Sequence, residues 1–227
     1  MTITIDPQFS VFHLVDRVQL GNSVLNHRRT MSLVSYEIEN ATLTHGARNR
    51  IFAGFQVMSK FIPQIERYTS LAQRAESVYV FGVMDVQPPP LPHVTYVSLT
   101  QTDQLAKEWF LVSHGQDYFS ALATEEVSHI TDPDDQRVFK GLWTFDLSMV
   151  MILESWLTSA VDARPLQISD LEHNFSQQIR LMAATLGRFT ARLSTDQSKS
   201  GTPTVDHPEE IGTLIDSTLK PAVDAAE

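Results

Sequence analysis

The densest group of potentially reactive side chains lies in one short stretch just past the middle of the chain. It contains carboxylates and one imidazole, at Glu125, Glu126, His129, Asp132, Asp134 and Asp135. These groups are suitable ligands for a hard or borderline cation. Their spacing, however, matches neither the HExxH motif of zinc peptidases nor the calcium loop of an EF-hand, which requires a central glycine. We therefore interpret TDPDD as a solvated loop, and expect neither a metal site nor catalytic residues.

A second candidate chemistry is the binding of an anion by basic side chains. The basic residues concerned are His27, Arg28, Arg29, Arg48 and Arg50. If the fold brings the two stretches together, they could hold a phosphate group. Alternatively, they are solvated helix ends that form ordinary ion pairs with Glu37 or Glu39. No glycine-rich phosphate loop supports the first alternative, since neither GxGxxG nor GxxxxGK[ST] occurs. Arg29 and Glu37 remain candidate ligand contacts.

Aromatic rings with polar neighbours provide further candidate ligand contacts, at Phe55, Gln56, Arg67, Tyr68, Trp109 and Trp143. A buried Gln56 amide needs both donor and acceptor partners, so it either orients a ligand or ties two elements together. Arg67 and Tyr68 offer a polar handle over a pocket or a packed helix surface. Trp109 and Trp143 either form the wall of a pocket for a planar ligand or fill the core.

The composition excludes several classes of chemistry. The chain has 227 residues, a formal net charge of −10 and no cysteine. An acidic chain repels phosphate backbones, so we expect no nucleic acid partner. Without thiols there are no disulfides, iron–sulfur clusters or thioether-linked chromophores, and we expect no cofactor. The N-terminal segment lacks the pattern of a signal peptide, and no run approaches the roughly 20 apolar residues of a membrane span. These features favour a cytoplasmic protein.

Helical patterns come first along the chain. Asp6 followed by Pro7 predicts an N-cap and a short helix that ends near Val15. The segment TMSLVSYEIEN predicts a second helix, capped by Thr30. Its apolar face consists of Met31, Val34, Ser35 and Ile38.

The segment Arg48–Ala75 repeats apolar residues at helical offsets. This spacing predicts two helical pieces joined at Pro63, whose ring disfavours a straight continuation. Phe55 and Gln56 are therefore expected on a helix.

Short β-rich runs follow from position 77. The predicted strands are SVYVFGV, HVTYVSL, WFLVSH, FSALATEEV and VFKGLWTF. Asp146 then predicts the N-cap of an amphipathic helix that ends before Pro165. The expected fold is an α/β domain over residues 1–165, with a mixed sheet of about five strands covered by helices.

A C-terminal amphipathic helix is predicted over residues 166–194. Ser169 and Glu172 have the spacing of a capping box, which indicates a helix start. Apolar residues recur at Leu171, Phe175, Ile179, Met182, Leu186, Phe189 and Leu193. Because this spacing is close to a heptad seam, we predict a homodimer formed through this apolar stripe. The alternative is that the stripe packs on the chain's own body. The acidic remainder, 195–227, is poor in apolar residues and is predicted to be mostly disordered.

Residues from about Asp6 to Pro165 resemble the DICT sensory domain family of bacterial diguanylate cyclases and two-component proteins. The resemblance rests on SLVSYEIE, FAGFQ, ERYTSLAQRA leading into VYVFGV, EWFLV and GLWTFD, taken in this order and spacing. It implies a sensory or regulatory domain, often attached to output domains. No GGDEF run or histidine-kinase module occurs in this sequence, so we expect the downstream effector to be a separate protein.

These observations predict a regulatory input module that senses a small ligand or a partner protein and relays the signal by protein–protein contact. A ligand-free scaffold is the first alternative. The second is an enzyme that acts on a phosphorylated small molecule through Arg29, Arg48 and Arg50. The eight histidines are scattered, and no Ser-His-Asp or paired-carboxylate order can be singled out. We therefore expect no enzymatic activity.

Overall fold

Seven strands form one mixed sheet in the computed structural model, which describes residues 5–18 and 23–199. The strands are β1 (Val24–His27), β2 (Arg50–Val57), β3 (Ser77–Val83), β4 (Val94–Leu99), β5 (Glu108–His114), β6 (Phe119–Glu126) and β7 (Val138–Thr144). Their order across the sheet is β1-β7-β6-β5-β2-β3-β4. The β2, β3 and β4 strands pair in parallel, whereas every pairing from β2 through β5, β6 and β7 to β1 is antiparallel.

Six α-helices accompany the sheet in the described residues. They are α1 (Val11–Val18), α2 (Arg28–Leu43), α3 (Met58–Phe61), α4 (Ile65–Ala72), α5 (Leu147–Ala160) and α6 (Phe175–Lys199). One hydrophobic core joins α2, α3 and α4 to one face of the sheet. A second core joins α1 and α5 to the other face. The mixed α/β architecture and the C-terminal helix are thus as the sequence predicts.

The predicted number of strands is wrong by two, because β1 and β2 come in addition to the five expected strands. The β2 strand replaces a predicted helix. It lies between β3 and β5, and six of its eight residues are buried. A strand buried on both faces is apolar almost throughout, so its residues also fill the offsets of a helical face. Helical structure begins only at Met58, and Pro63 lies in the 3-10 turn Ile62–Gln64.

Two observed helix starts differ from the predicted ones, and a tertiary contact caps the first of these helices. The α1 helix begins at Val11 and not at Asp6, and its first amides are bound by the buried Glu108 carboxylate of β5. Val11 and Phe12 donate to Glu108 Oε2 over 3.0 and 3.1 Å, respectively. The α2 helix begins at Arg28, before the predicted cap Thr30. The predicted cap of α5 is confirmed, since Asp146 accepts from the Met149 amide at 2.9 Å.

The C-terminal helix begins later than predicted. Ser169 and Glu172 do form their reciprocal pair, but around the 3-10 turn Asp170–Glu172. His173 then leaves the helical path, and its ring is buried against His114 at the end of β5. The Nε2 atoms of the two rings are 3.1 Å apart. Asn174 caps α6 by accepting from the Gln177 amide. The helix runs to Lys199, five residues past the boundary at 194, and the rest of the predicted disordered tail lies outside the described residues.

The α6 helix packs against the body mainly through polar side chains. Gln178 makes two 3.0 Å hydrogen bonds to the Phe119 backbone. Arg188 donates to Glu37 of α2 at 2.6 Å, and Leu181 is the buried apolar contact. The compact unit of the protein ends at Thr190, and the last turns of α6 belong to a second unit.

Most of the predicted apolar stripe is left open to solvent. Leu171 lies before the helix and is 97% exposed, while Phe175, Ile179 and Leu186 are between 40% and 61% exposed. Met182 is half-buried, and the Phe189 ring packs against Trp143 with centroids 5.4 Å apart. Leu193 follows in the second unit. The body therefore covers only part of the stripe, and it leaves Phe175, Ile179 and Leu186 exposed.

Candidate functional site

A cavity of about 130 Å³ lies between α2 and the centre of the sheet, and we call it the α2 pocket. Its walls come from α2, β2, β5, the α3–α4 region and the start of β7. The lining residues are Arg28, Ser32, Ser35, Tyr36, Glu39, Ala53, Gly54, Phe55, Gln56, Lys60, Gln64, Tyr68, Trp109, Phe110, Leu111 and Arg137.

The floor of the pocket is an irregular point of β2. Pairing with β3 breaks between Gly54 and Val57, and Gln56 adopts a φ of 62°. Non-glycine residues seldom occupy this left-handed region, and such positions concentrate at functional sites. A Cβ at Gly54 would lie 2.4 Å from the Phe110 ring, so only glycine fits there without displacement.

A buried polar network holds Gln56 in this conformation. Its amide donates to Glu126 at 2.8 Å, and its carbonyl oxygen accepts from Arg137 at 2.6 Å. The Arg137 side chain is only 1% exposed and also donates to both oxygens of Glu126. Burial alone would raise the pKa of Glu126, but the hydrogen bonds from Arg137 and Gln56 hold it below its ordinary value. The arrangement fixes the position of the Arg137 guanidinium in the pocket wall.

Two more cations line the pocket, and they share one exposed carboxylate. Asp134 lies 3.3 Å from Arg28 Nη1, 3.3 Å from Lys60 Nζ and 3.8 Å from Arg137 Nη1. The desolvation of Asp134 raises its pKa, but the nearby charges of Arg28 and Lys60 outweigh this effect and lower it. Asp134 is therefore an anion that spans three cationic side chains.

The opposite end of the pocket is acidic. Glu39 is buried, accepts from the Tyr68 hydroxyl at 2.9 Å and pairs with Arg67. Burial raises the pKa of Glu39, although Arg67 opposes the effect, and burial together with the Glu39 charge raises the pKa of Tyr68. Tyr36 completes this end, with the Arg67 guanidinium over its ring at 4.7 Å.

Aromatic rings form the walls between the two ends. Trp109 of β5 donates from its indole nitrogen to Ser35 at 3.1 Å, which fixes the plane of its ring. The Arg28 guanidinium lies 5.9 Å from that ring. The Phe55 ring packs edge-on against Tyr68. A pocket with apolar walls and a few fixed polar groups is the usual form of a small-molecule site.

The structure brings together some of the residues that the sequence suggests as ligand contacts. Phe55, Gln56, Tyr68 and Trp109 line the α2 pocket, and Arg67 lies behind Glu39.

The other three predicted residues, Arg29, Glu37 and Trp143, lie elsewhere. Glu37 pairs with α6, and Trp143 donates to Ser120 and packs on Phe189. The predicted helical setting of Gln56 is wrong, since it lies at the end of β2.

The basic residues do not come together as a phosphate cluster, the first of the two alternatives that the sequence leaves open, and two of them form ion pairs instead. Arg50 is buried in an ion pair with Glu154 of α5, and Arg48 pairs with Glu76. Neither lines the α2 pocket, whose cations are Arg28, Lys60 and Arg137. Sequence reasoning missed Lys60 and Arg137. No spacing marks them, because the chain brings them together from distant segments.

Two kinds of feature are absent from the described residues. No three histidine, cysteine, aspartate or glutamate side chains there are grouped closely enough to hold a metal ion. None of the described helices is long and apolar enough to cross a membrane.

The described residues thus form an α/β domain with a pocket between α2 and the centre of the sheet. A family model for the sensory domain in diguanylate cyclases and two-component systems, DICT, matches residues 10–127. The chain belongs to the DICT family, as the sequence motifs indicate. The matched residues include α1 to α4 and β1 to β6, and therefore most of the pocket lining.

Other comparisons add little. Among solved structures, the polyphosphate kinase of Porphyromonas gingivalis is similar to 60% of this chain, with 15% identity and a TM-score of 0.36. The chain spans 23% of that protein's length. No curated protein matches the sequence.

Proposed function

We propose that this DICT domain is a sensory module that binds a small molecule in the α2 pocket and relays its presence through α6 to a partner protein. The family supplies the sensory role. The pocket, with fixed cations at one end and aromatic walls, supports a small ligand as the signal. Binding alone carries the function, and no catalytic step is part of it.

The observation that carries the relay is the position of α2. Ser35, Tyr36 and Glu39 line the pocket, whereas Glu37, on the same turn, binds Arg188 of α6. The Glu37 side chain is fully buried. A ligand that shifts α2 by a fraction of an ångström therefore alters a buried ion pair, whose strength depends strongly on geometry. The polar contacts of α6 make its docking easy to change.

The test uses hydrogen exchange in α6 as the readout. Native mass spectrometry of freshly purified protein would identify a co-purifying metabolite, which is then titrated back. We expect the ligand to change amide exchange over residues 175–190. In Glu37→Gln the ligand should still bind while the change in α6 is lost. Glu66→Gln, at an exposed position of α4, is the matched control and should respond as the wild type does. Binding that leaves α6 exchange unaltered would refute the relay.

A ligand-free interaction protein is the second candidate. The exposed side chains Phe175, Ile179 and Leu186 favour it, since an apolar stripe on a surface helix commonly marks a contact with another chain. A protein that carries no metabolite, binds none, and still captures one defined partner through this stripe would select this candidate over the sensory one.

A further inference from the structure

The cationic end of the α2 pocket is balanced by a carboxylate that lies outside the pocket lining. In the described part of the chain, Asp134 is the only carboxylate that pairs with Arg28 and Lys60. Its side chain is 53% exposed, and both distances are 3.3 Å. Exposed ion pairs of this length contribute little to stability, about 0 to 1 kcal/mol. Asp134 is therefore an easily replaced counterion.

Arg28 is not satisfied by this counterion. Its Nε is buried and has no hydrogen-bond acceptor among the described residues. A guanidinium prefers to bind an oxyanion with two parallel N–H groups, but Asp134 engages only Nη1. A buried donor without an acceptor is costly. A second oxygen in the pocket would complete the coordination.

The two ends of the pocket also set the direction of a bound anion. Arg28 and Glu39 are separated by three turns of α2, or about 16 Å at 1.5 Å per residue. At the far end, Arg67 is already paired with Glu39. The cations Arg28, Lys60 and Arg137 therefore attract an anion to their own end. Between them, Trp109 and Phe55 offer flat apolar surfaces. The α2 pocket therefore fits a planar molecule that carries an anionic group at one end.

We propose that the α2 pocket binds an aromatic small molecule that carries a carboxylate or phosphate, and that this anionic group takes the place of Asp134 at Arg28 and Lys60. The inference rests on the proposed sensory function and names its ligand class. On binding, the loop of residues 131–136 loses its contact with α2 and α3. Asp134 thus holds the empty pocket in an autoinhibited state, because its carboxylate competes with the ligand's.

The test compares four simple compounds on three proteins by isothermal titration calorimetry. The compounds are benzoate, phenyl phosphate, inorganic phosphate and the neutral benzamide. The proteins are wild type, Asp134→Asn and Asp135→Asn. Asp135 is the adjacent exposed carboxylate of the same loop, so its replacement removes the same charge without touching the three cations. Both positions are on the surface, and both variants are expected to fold.

We expect benzoate or phenyl phosphate to bind Asp134→Asn about fivefold more tightly than the wild type, the change that loss of one exposed counterion gives. Asp135→Asn should equal the wild type, and benzamide should not distinguish the three proteins. Comparing benzoate with phenyl phosphate shows whether the pocket prefers a carboxylate or a phosphate. Tight binding of inorganic phosphate alone would remove the aromatic part of the proposal.

Three results would overturn it. The first is that neither benzoate nor phenyl phosphate binds more tightly than benzamide. The second is that Asp134→Asn and Asp135→Asn bind the anionic compounds equally. The third is that Asp134→Asn binds no anionic aromatic compound at millimolar concentration. The outcome is separable from that of the proposed function. If an anionic compound binds as expected but α6 exchange does not change, the ligand class stands and the relay fails. If a neutral metabolite drives α6, the relay stands and the ligand class fails.

Discussion

At the level of single residues, the structure contains charged side chains that are buried in ion pairs. Arg137 is 1% exposed and is neutralised by Glu126, whose side chain is 4% exposed. The pair also fixes Gln56 in its left-handed backbone conformation. A pair of this kind contributes little when both partners are present, but the loss of one partner leaves an uncompensated charge.

We predict that Arg137→Met destabilises the protein by about 3 to 5 kcal/mol, because Glu126 is left buried without its counterion. Urea denaturation monitored by tryptophan fluorescence measures the change. The double variant Arg137→Met/Glu126→Gln removes both charges and should recover a large part of the loss. A single variant that costs less than about 1 kcal/mol would show that the pair is effectively solvated.

A second residue-level prediction concerns the stability of the protein at acidic pH. Burial, together with His173 and Arg50, lowers the pKa of His114 from 6.5 to about 4. Between about pH 6.5 and pH 4 the unfolded chain therefore binds a proton on His114 that the folded chain does not bind. The free energy of unfolding consequently falls as the pH drops through this range. The His114 contribution amounts to roughly 3 kcal/mol at the acid end.

Urea denaturation of wild type and His114→Asn between pH 7 and pH 4 checks this prediction. The difference between the two proteins isolates His114 from groups such as Glu39, whose raised pKa acts in the opposite direction. The wild type should lose stability more steeply on acidification than the variant. Parallel curves would mean that His114 does not titrate abnormally in the folded protein.

At the level of elements, sequence patterns predict five of the seven strands in the described residues. The five strands from β3 to β7 and the cap of α5 follow from local patterns. The β2 strand does not, because its residues Ile51 to Phe55 are apolar in every register and fit a helix as well as a strand. The capping contact between Glu108 and α1 joins residues about a hundred positions apart, and no local pattern encodes it.

The candidate site was predictable to a similar extent. Residue type and neighbouring residues are enough to identify four of the pocket residues, because aromatic rings and amides stand out in apolar segments. These four are Phe55, Gln56, Tyr68 and Trp109. Arg137 and Lys60 are not, since a single cation beside a polar loop usually lies in solvent. Only the pairing of β7 with β6, together with the loop before it, buries Arg137 against Glu126.

The one glycine inside α6 gives an element-level prediction. A Cβ at Gly187 would meet nothing within 4 Å, and glycine in a helix interior costs about 0.5 to 1 kcal/mol relative to alanine. Gly187→Ala should therefore raise the free energy of unfolding by about that amount. Gly54→Ala is the contrasting control, because its Cβ collides with the Phe110 ring. A destabilised Gly187→Ala protein would show that α6 needs to bend there.

At the level of the whole molecule, the exposed face of α6 is the feature that the body does not explain. Gln178 faces the body, and Ile179, the next residue, lies about 100° round the helix axis. Ile179 is 61% exposed. The docked face and the most exposed part of the apolar stripe are thus separate, which leaves Ile179 accessible to a second chain while α6 is bound to the body.

We predict that the protein is a homodimer through this stripe, as the heptad spacing suggests. Replacing Ile179 and Leu186 with Asp should give monomers that keep a folded body, measured by analytical ultracentrifugation and circular dichroism. Ser176→Asp, at an exposed position off the stripe, should remain dimeric. A wild-type protein that is monomeric at high micromolar concentration would contradict the prediction, and unfolding of the double variant would place the stripe in the core.

The pairing of β1 with β7 has a consequence for the time at which the protein becomes active. Arg28, which follows β1, donates its amide to Arg137, which precedes β7. These two pocket residues are separated by about 110 residues, which a ribosome needs roughly 5 to 20 s to add at its usual speed. Until β7 leaves the ribosome, the first strand has no partner and the pocket lacks Arg137. A newly made chain therefore cannot complete the pocket before the last strand of the sheet has been synthesised.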